Sequence, residues 1–450
     1  MKTSFPVVVV LLLAFLVAPL AAQELSSNQA SATGPQSGQP ATSDAAAGAQ
    51  TLQPGAVITA QNWRNYTSFM PDGMVSLFQG KYYWKMPPDA RIEVGATVVR
   101  PLPKNYLAAT ERYSGQVAIV TLPSGGLTLK NYRGGEPFPN PAEPHKGWKI
   151  LTDVWYRYFP HLTVDSYGTA CGQNSYGNIS CTADELVTHQ LSYNTDPGVP
   201  ETIPGTQDEF FAEWIMTLEP ESQKYTASLV LSPTDLTKPQ EIYAFIPSLR
   251  RPQAVASSAR CTPFSGTDLT TDEYRYGFNG NLTDLAVESL GEKKILSLID
   301  INMPATTLPE GYDMPLGWPL PSWGKWQLRD VYEISASKLP GEAGNYCVGK
   351  RVMYVDKAFF STLWEDLYDK QMKPWKFAGF FLGTVDVPGV GPVNSSGVAV
   401  EAFWDIQNNH ASILPDPGNG RPFYVNEQAP NEYRDIARFT TVNGLSEIMR

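Results

Sequence analysis

Residues 326–385 read WQLRDVYEISASKLPGEAGNYCVGKRVMYVDKAFFSTLWEDLYDKQMKPWKFAGFFLGTV, and this stretch decides the fold. Most of its runs are rich in Tyr, Trp, Phe and Val and end at Pro, Gly, Asp or Lys, which is the pattern of strands joined by turns. The stretch therefore predicts three or four consecutive antiparallel strands.

Successive side chains of a strand point to opposite faces, so the sequence also predicts what each face carries. In the first run Trp326, Asp330 and Ile334 share a face, and in a later run Trp364 shares one with Asp366. Both faces thus mix apolar and polar groups, as expected when a curved sheet covers something on its concave side. We predict a mainly β protein with a few helices, built on a curved, half-open antiparallel barrel.

Composition sets limits on the partners of such a sheet. The chain has 450 residues, of which 42% are hydrophobic and 12% aromatic, with 38 Pro and 36 Gly. This content is sufficient for a core and favours strands and turns over a helical bundle. The formal charge of -11 and the pI near 5.0 argue against nucleic acid or an anionic membrane surface as the main partner, because both require a basic footprint.

The first residues have the layout of a secretory signal peptide, which we expect to span residues 1–22. Lys2 precedes an apolar run of about eleven residues, and small residues follow at Ala18, Ala21 and Ala22. The run is shorter than the ~20 residues that a membrane-spanning helix needs. The chain has no Cys before Cys171, so a lipobox is absent and we predict a periplasmic protein without a lipid anchor.

Residues 23–54 consist mainly of Ser, Ala, Gly, Gln, Thr and Pro, which predicts a flexible linker. After it, strand patterns recur from Tyr82 to Phe403 without a second linker, so we predict one β domain over residues 55–450. Between His161 and Gln207 polar turn residues dominate, and there the sequence predicts loops.

The four cysteines of an exported chain indicate disulfides, and three pairings are possible. We favour Cys171 with Cys181, because the loop between them has no other ordering force, and Cys261 with Cys347. Metal binding is the alternative, but the chain has no CxxC spacing and only 4 His, each isolated in the sequence. We expect no metal and no cofactor.

The motif GNYCVGK at residues 344–350 matches the spacing of a phosphate-binding loop. Arg351 stands where Ser or Thr should hold magnesium, however, and the motif lies between two predicted strands instead of before a helix. We interpret it as a hairpin loop.

The acidic residues near Glu365 are the strongest enzymatic candidates. Glu365, Asp366 and Asp369 lie close in sequence to one another, and a pair of carboxylates in an aromatic groove would suit a glycoside hydrolase. Glu365 and Asp366 are adjacent in a predicted strand, however, so they should point to opposite faces, and Asp369 should close a turn. Hydrolysis is therefore an alternative hypothesis, and we expect a protein that is not an enzyme.

Seven segments resemble an exported Gram-negative family that is known as a domain of unknown function and is similar to outer-membrane lipoprotein-sorting proteins. The segments are YYWKMP (82–87), YSGQV (113–117), NYRGGEPFP (131–139), RRPQAV (250–255), RDVYEI (329–334), YCVGKRVMYVD (346–356) and EDLYDKQMKPWK (365–376). The resemblance implies a fold similar to LolA and LolB, an incomplete curved barrel with short helices at its mouth. It also implies an RND-class transporter and an outer-membrane protein as partners.

A half-open barrel of this kind would enclose an apolar cavity for a lipid or another hydrophobic small molecule. We predict that strand residues line it, namely Tyr83, Trp84, Met86, Tyr113, Tyr354, Trp364 and Phe381. The main hypothesis is a periplasmic carrier or accessory protein that needs no catalytic group. The alternatives are the hydrolase and a structural, outer-membrane-associated protein whose own side chains fill the cavity.

Overall fold

The computed structural model describes residues 52–449 except 257–259, 264–265, 274, 276, 303–307, 345, 395–398 and 416–420. The expected signal peptide and the linker up to residue 51 lie outside the described residues. Leu52, near the end of the expected linker, is buried in the core. Ordered packing is therefore present three residues before the expected start of the domain at residue 55.

Strands dominate the described part of the chain. The helices are α1 (Asp72–Gln79), α2 (Lys104–Tyr113), α3 (Lys146–Tyr156), α4 (Ile436–Thr440) and α5 (Val442–Ser446). The strands are β1 (Val57–Thr59), β2 (Arg91–Glu93), β3 (Ala118–Thr121), β4 (Leu127–Lys130), β5 (Leu162–Asn174), β6 (Ile179–Gln190), β7 (Glu209–Glu219), β8 (Ala227–Pro233), β9 (Glu241–Ile246), β10 (Arg251–Ala254), β11 (Leu285–Ser297), β12 (Tyr312–Asp313), β13 (Trp318–Pro319), β14 (Gln327–Lys338), β15 (Lys350–Asp356), β16 (Thr362–Tyr368), β17 (Pro374–Leu382), β18 (Val385–Val387), β19 (Gly391–Val393), β20 (Ala399–Asp405), β21 (His410–Pro415) and β22 (Phe423–Val425).

One antiparallel sheet of 14 strands organises the fold, in the order β10-β9-β8-β7-β6-β5-β21-β20-β17-β16-β15-β14-β11, with β22 beside β5. The two ends of this order, β10 and β11, belong to different edges, so the sheet is not closed into a barrel. The predicted strands of residues 326–385 are β14 to β17, and they are consecutive neighbours. The predictions of a mainly β protein and an open antiparallel sheet are confirmed.

The prediction of loops between His161 and Gln207 is wrong for most of that segment. It contains β5 and β6, which form a long antiparallel hairpin at the centre of the sheet order. Their sequences hide the strand pattern because Thr, Asp, Ser and Gly are frequent in them. A strand can carry such residues where one of its faces is partly polar, because the tendency of a residue to occur in a strand depends mainly on its packing and burial there.

The register divides the sheet into two faces, which we call face A and face B. Face A includes Leu186 and Ile215, which pair across β6 and β7, and Glu401 of β20. Face B includes their neighbours Val187 and Trp214, which also pair with each other. Every side chain of a strand belongs to one of the two faces, so the register assigns each predicted residue to one side of the sheet.

Different elements cover the two faces. On face B, α1 packs on β16 and β17, and α4 and α5 pack on β6 to β10. On face A, α3 packs on β11 and β14 and contributes Trp148 to a cluster that includes Ile334 and Met353. A few short helices are thus present, and they pack on both faces of the sheet, whereas the resemblance implied helices at the mouth of the barrel. Within the described part of the chain, no helix has the length and apolarity that a membrane span requires.

Candidate functional site

Three of the predicted cavity residues lie on strands but on face B. Trp364 pairs with Gly379 and with Tyr354, whereas the face A residue Glu401 pairs with Phe380, so Trp364, Tyr354 and Phe381 share the opposite side. All three are buried, and the Trp364 ring stacks on that of Trp404 with centroids 5.7 Å apart. They are therefore part of the packed core of face B.

The other four predicted residues are not in strands of the sheet. Tyr113 is the last residue of α2, and residues 82–87 form an irregular segment. Trp84 and Met86 are buried in the face B core, whereas the side chain of Tyr83 is 43% exposed and donates a hydrogen bond to the carbonyl of Ser175. The expectation that all seven residues stand on strands of one face is wrong, because alternation alone does not show which segments pair.

A cavity of about 300 Å³ lies elsewhere, on face A of β5 to β9. Its walls also include residues that follow β10 and residues of β20 to β22. The described lining residues are Phe159, Thr163, Asp165, Gly168, Thr169, Ala170, Asp184, Leu186, Thr188, Glu213, Ile215, Thr217, Thr226, Ala227, Ser228, Val230, Ala244, Thr267, Leu269, Arg275, Glu401, Leu414 and Phe423. None of the seven predicted residues is among them.

The lining combines an apolar surface with charged groups. Leu186 and Ile215 pair across β6 and β7, and Val230 of β8, which pairs with Glu213, lies diagonally from Ile215, so the three form an apolar wall. Asp184 accepts hydrogen bonds from the hydroxyls of Thr182 and Thr217, at 2.7 and 2.8 Å. Burial raises the pKa of Asp184 despite these two bonds. The site is therefore suited to an apolar molecule with a polar end.

The sequence contains a signal for these residues that our prediction missed. In β5, β6 and β7 the residues of face A follow a period of two, with Thr163 and Asp165, then Asp184, Leu186 and Thr188, and then Glu213, Ile215 and Thr217. Three neighbouring strands that place Thr and acids on the same face indicate a polar, solvated surface opposite a core.

Both favoured disulfides are formed, and the second of them is connected to the cavity wall. Cys171 and Cys181 are direct partners across β5 and β6, so their bridge crosses a hairpin and does not close a loop of turns. Cys261 and Cys347 are 86 residues apart. This second bridge ties the segment that leads to Thr267, a residue of the cavity wall, to the hairpin loop between β14 and β15.

The acidic residues near Glu365 form ion pairs and hydrogen bonds within the fold. Glu365 is fully buried on face A and forms an ion pair with Arg351 at 3.0 Å, and burial raises its pKa to about 8. Asp366 points to face B, where it accepts hydrogen bonds from the Trp364 indole and the Gly73 amide. Asp369 accepts backbone bonds within the turn before β17. The predicted opposite orientation of the first two and the turn position of the third are confirmed.

A second group of residues has the composition of a serine triad but not its geometry. Ser412 donates a hydrogen bond to Asp268 at 2.8 Å, and the His410 Nδ1 atom is 2.6 Å from the same Asp268 oxygen. A nucleophilic serine requires a bond to the histidine, which takes up its proton. Here both side chains bond the carboxylate, so the serine is not activated.

Two further possibilities, a phosphate-binding loop and a metal site, find no support among the described residues. GNYCVGK lies between the antiparallel neighbours β14 and β15, as the hairpin interpretation predicts. Among the residues that the structure describes, no group of three or more His, Cys, Asp and Glu side chains could hold a metal ion.

Residues 57–443 match the DUF1329 family, whose members are described as proteins of unknown function. The chain belongs to this family. The resemblance predicted from the seven sequence segments is confirmed. A search of curated proteins finds no match to this DUF1329 protein.

Three solved structures are similar to this DUF1329 protein. A domain from Vibrio parahaemolyticus, provisionally named as an outer membrane lipoprotein-sorting protein, shares 13% identity over 67% of this chain and 99% of its own, with a TM-score of 0.44. A DUF1329 family protein from Desulfovibrio piger shares 11% identity over 66% and 98%, with a TM-score of 0.44. A LolA superfamily protein from Nitrosomonas europaea shares 13% identity over 64% and 96%, with a TM-score of 0.36.

Proposed function

We propose that the protein is a non-catalytic periplasmic carrier or accessory protein, which binds a lipid or another hydrophobic molecule in the cavity on face A. The observation that carries this proposal is the cavity itself, with its apolar wall of Leu186, Ile215 and Val230. The proposal keeps the ligand class expected from the sequence and moves its site from the aromatic residues of face B to β5–β9.

The size and walls of the cavity support a small apolar ligand. A volume of about 300 Å³ is at the lower end of the range of ~300 to 1,000 Å³ that small-molecule sites have. Transfer of a methylene group from water to such a wall contributes roughly 0.8 kcal/mol. A few methylene groups therefore contribute several kcal/mol to binding of the ligand. Release of the ligand requires only that the cavity walls separate.

The location and the partners belong to the same proposal. Export to the periplasm rests on the signal-peptide pattern of residues 1–22. Delivery of the ligand to an RND-class transporter or to an outer-membrane protein rests on the family resemblance. Pull-down of the full-length protein from cross-linked cells, with an inner-membrane and an outer-membrane fraction compared, tests this part separately.

The hydrolase alternative is less well supported. Its main candidate, Glu365, is fully buried against Arg351 and does not line the cavity, and its neighbour Asp366 is on the other side of the sheet. A glycoside hydrolase needs two carboxyl groups that flank one substrate, ~5 to 10 Å apart. A purely structural protein would not need an apolar cavity. The structural alternative therefore predicts no binding of an apolar probe, whereas the carrier proposal predicts binding.

The test is the binding of N-phenyl-1-naphthylamine, a neutral probe that fluoresces in apolar sites. We expect saturable binding by the parent protein and at least a tenfold weaker binding by Ala170→Phe, in which a large ring enters the cavity. The matched control is Ala118→Phe, the same change at an exposed residue of β3, which should bind as the parent does.

Equal binding by folded Ala170→Phe and by the parent would exclude this cavity as the site. Mass spectrometry of an organic extract of the purified protein provides an independent measurement. A stoichiometric apolar compound in the parent extract, and its loss from the Ala170→Phe extract, is the expected result. Absence of both probe binding and a co-purified compound would favour the structural alternative.

A further inference from the structure

We propose that the cavity selects an amphiphile with a cationic polar end, and that the carboxylate of Glu213 receives this cation. The inference rests on the proposed function and specifies the chemical class of its ligand.

Glu213 is a buried carboxylate that lines the cavity and has no partner among the residues that the structure describes. It lies on face A of β7, between Thr188 of β6 and Val230 of β8 in the register. Its side chain is only 7% exposed and contributes to the cavity lining. Among the described residues, none forms a hydrogen bond or an ion pair with the Glu213 carboxylate. A buried acid in this condition is unusual, because buried charges are normally paired.

The surroundings of Glu213 make an external partner favourable. Burial raises the pKa of Glu213, and the guanidinium groups of Arg275, Arg157 and Arg260 act in the opposite direction without cancelling this rise. The cost of the unpaired charge is therefore only partly offset inside the protein. A ligand cation that reaches the carboxylate would remove that cost and gain a charge-assisted hydrogen bond.

The charge balance of the cavity favours a cation over an anion. The described lining has four carboxyl groups, those of Asp165, Asp184, Glu213 and Glu401, and a single guanidinium, that of Arg275. The Arg275 guanidinium lies 3.8 Å from the centroid of the Phe211 ring and so makes a cation-π contact with this side chain. Arg157 and Arg260 also act on Glu213 but are not among the lining residues, so within the described lining itself the carboxyl groups outnumber the guanidinium groups, which favours a cationic over an anionic ligand.

The apolar wall provides a place for the body of the same molecule. Glu213 pairs with Thr188 and Asp184 pairs with Thr217, so the two acids are four residues apart along β6 and β7. At ~3.3 Å per residue this separation is about 13 Å. Leu186 and Ile215 lie between the two acids on the same face. A single alkyl chain can therefore lie along the wall while its cationic end is at Glu213.

The test compares three amphiphiles with the same twelve-carbon chain, each below its micelle concentration. Dodecyltrimethylammonium, dodecyl sulfate and dodecyl maltoside are added to displace N-phenyl-1-naphthylamine from the parent protein. We expect the cation to bind at least tenfold more tightly than the anion, with the neutral maltoside between them. In Glu213→Gln, which keeps the shape and removes the charge, this preference should fall at least fivefold.

The matched control is Glu185→Gln, the same change at a buried glutamate of β6 that points to face B and bonds the Tyr433 hydroxyl. It should keep the preference of the parent. Glu213→Gln should fold normally, because it removes an unpaired buried charge, and circular dichroism checks this.

The outcomes separate the inference from the function on which it rests. Displacement of the probe by all three amphiphiles with equal affinity, or tighter binding of the sulfate, would overturn the cation preference and leave the carrier proposal intact. An unchanged preference in Glu213→Gln would assign the selection to another lining group and overturn the role of Glu213. Failure of the probe itself to bind would overturn both proposals.

Discussion

The two faces of β6 and β7 differ in burial and in the elements that cover them, although alternate residues of the same strands form both faces. On face B, Val187 and Trp214 are buried, and the Trp214 ring contacts Phe439 of α4 with centroids 5.4 Å apart. On face A, Leu186 and Ile215 are half-buried and border the cavity. The side chains alone do not explain the difference, because each face has large apolar groups. It is the covering element that decides whether a face becomes core or cavity.

The other half of the sheet supports this conclusion. There α3 packs on face A of β14 and α1 packs on face B of β16, so both faces are covered. The aromatic residues that the sequence placed around a ligand are found in that covered half. A curved sheet with aromatic strands therefore encloses a ligand site only where no helix of its own occupies the face.

The largest effect should come from the packed face of β7. Trp214→Ala removes a fully buried indole between β7 and α4, and we expect a loss of about 3 to 5 kcal/mol in the free energy of unfolding. Guanidinium unfolding followed by circular dichroism measures it. A loss below about 1 kcal/mol would mean that α4 does not seal face B.

The second effect concerns the disulfide that anchors part of the cavity wall. Replacement of Cys261 and Cys347 by Ser should cost about 2 to 4 kcal/mol, because the bridge spans 86 residues of the unfolded chain. Probe affinity should fall as well, since the segment leading to Thr267 loses its anchor. Replacement of Cys171 and Cys181, which are 10 residues apart, should cost less. The reverse order would contradict this assignment.

The third effect is a pH dependence of the free energy of unfolding that arises from a buried carboxyl group on face B. Burial raises the pKa of Asp366 on face B to about 7. Between pH 4 and pH 7 the unfolded chain has this carboxyl ionised, whereas the folded protein keeps its proton, so the unfolding free energy falls as pH rises. Asp366→Asn mimics the protonated form, and it should gain stability relative to the parent by at most about 1.4 kcal/mol per pH unit across this window.

Unfolding at pH 4, 5.5, 7 and 8 measures the difference between Asp366→Asn and the parent. The control is Asp369→Asn, at the exposed turn, where backbone and Gln407 hydrogen bonds lower the pKa of the carboxyl. Its contribution has the opposite sign and lies below pH 4, so it should be constant from pH 5.5 to pH 8. A flat difference for Asp366→Asn over the whole range would show that Asp366 is ionised in the folded protein.

The smallest effect on stability should come from the residue next to Trp214. Ile215→Ala on face A removes a half-buried side chain from the cavity wall, and we expect a loss of about 1 kcal/mol. The affinity for N-phenyl-1-naphthylamine should fall severalfold at the same time. Comparable losses of stability for Ile215→Ala and Trp214→Ala would remove the distinction between the two faces.

The sequence predicted the parts of this protein that depend on local pattern. The aromatic runs between Trp326 and Val385 predicted three or four consecutive strands, of which four are present, and the alternation at Glu365 and Asp366 predicted opposite orientations. The favoured cysteine pairs are also formed. The orientations follow from strand geometry, and the Cys171–Cys181 pair follows from proximity in the chain, which leaves Cys261 and Cys347 as the remaining pair.

The position of the candidate site was decided only by the tertiary structure. A period of two tells that a strand has two faces, but it does not tell which face a distant helix covers. Trp364 lies on a covered face because α1, almost 300 residues earlier in the chain, packs there. Glu213 lies in a cavity because no described helix occupies face A of β7. Such contacts between distant segments depend on the whole fold, and for this reason the strands were predictable and the cavity was not.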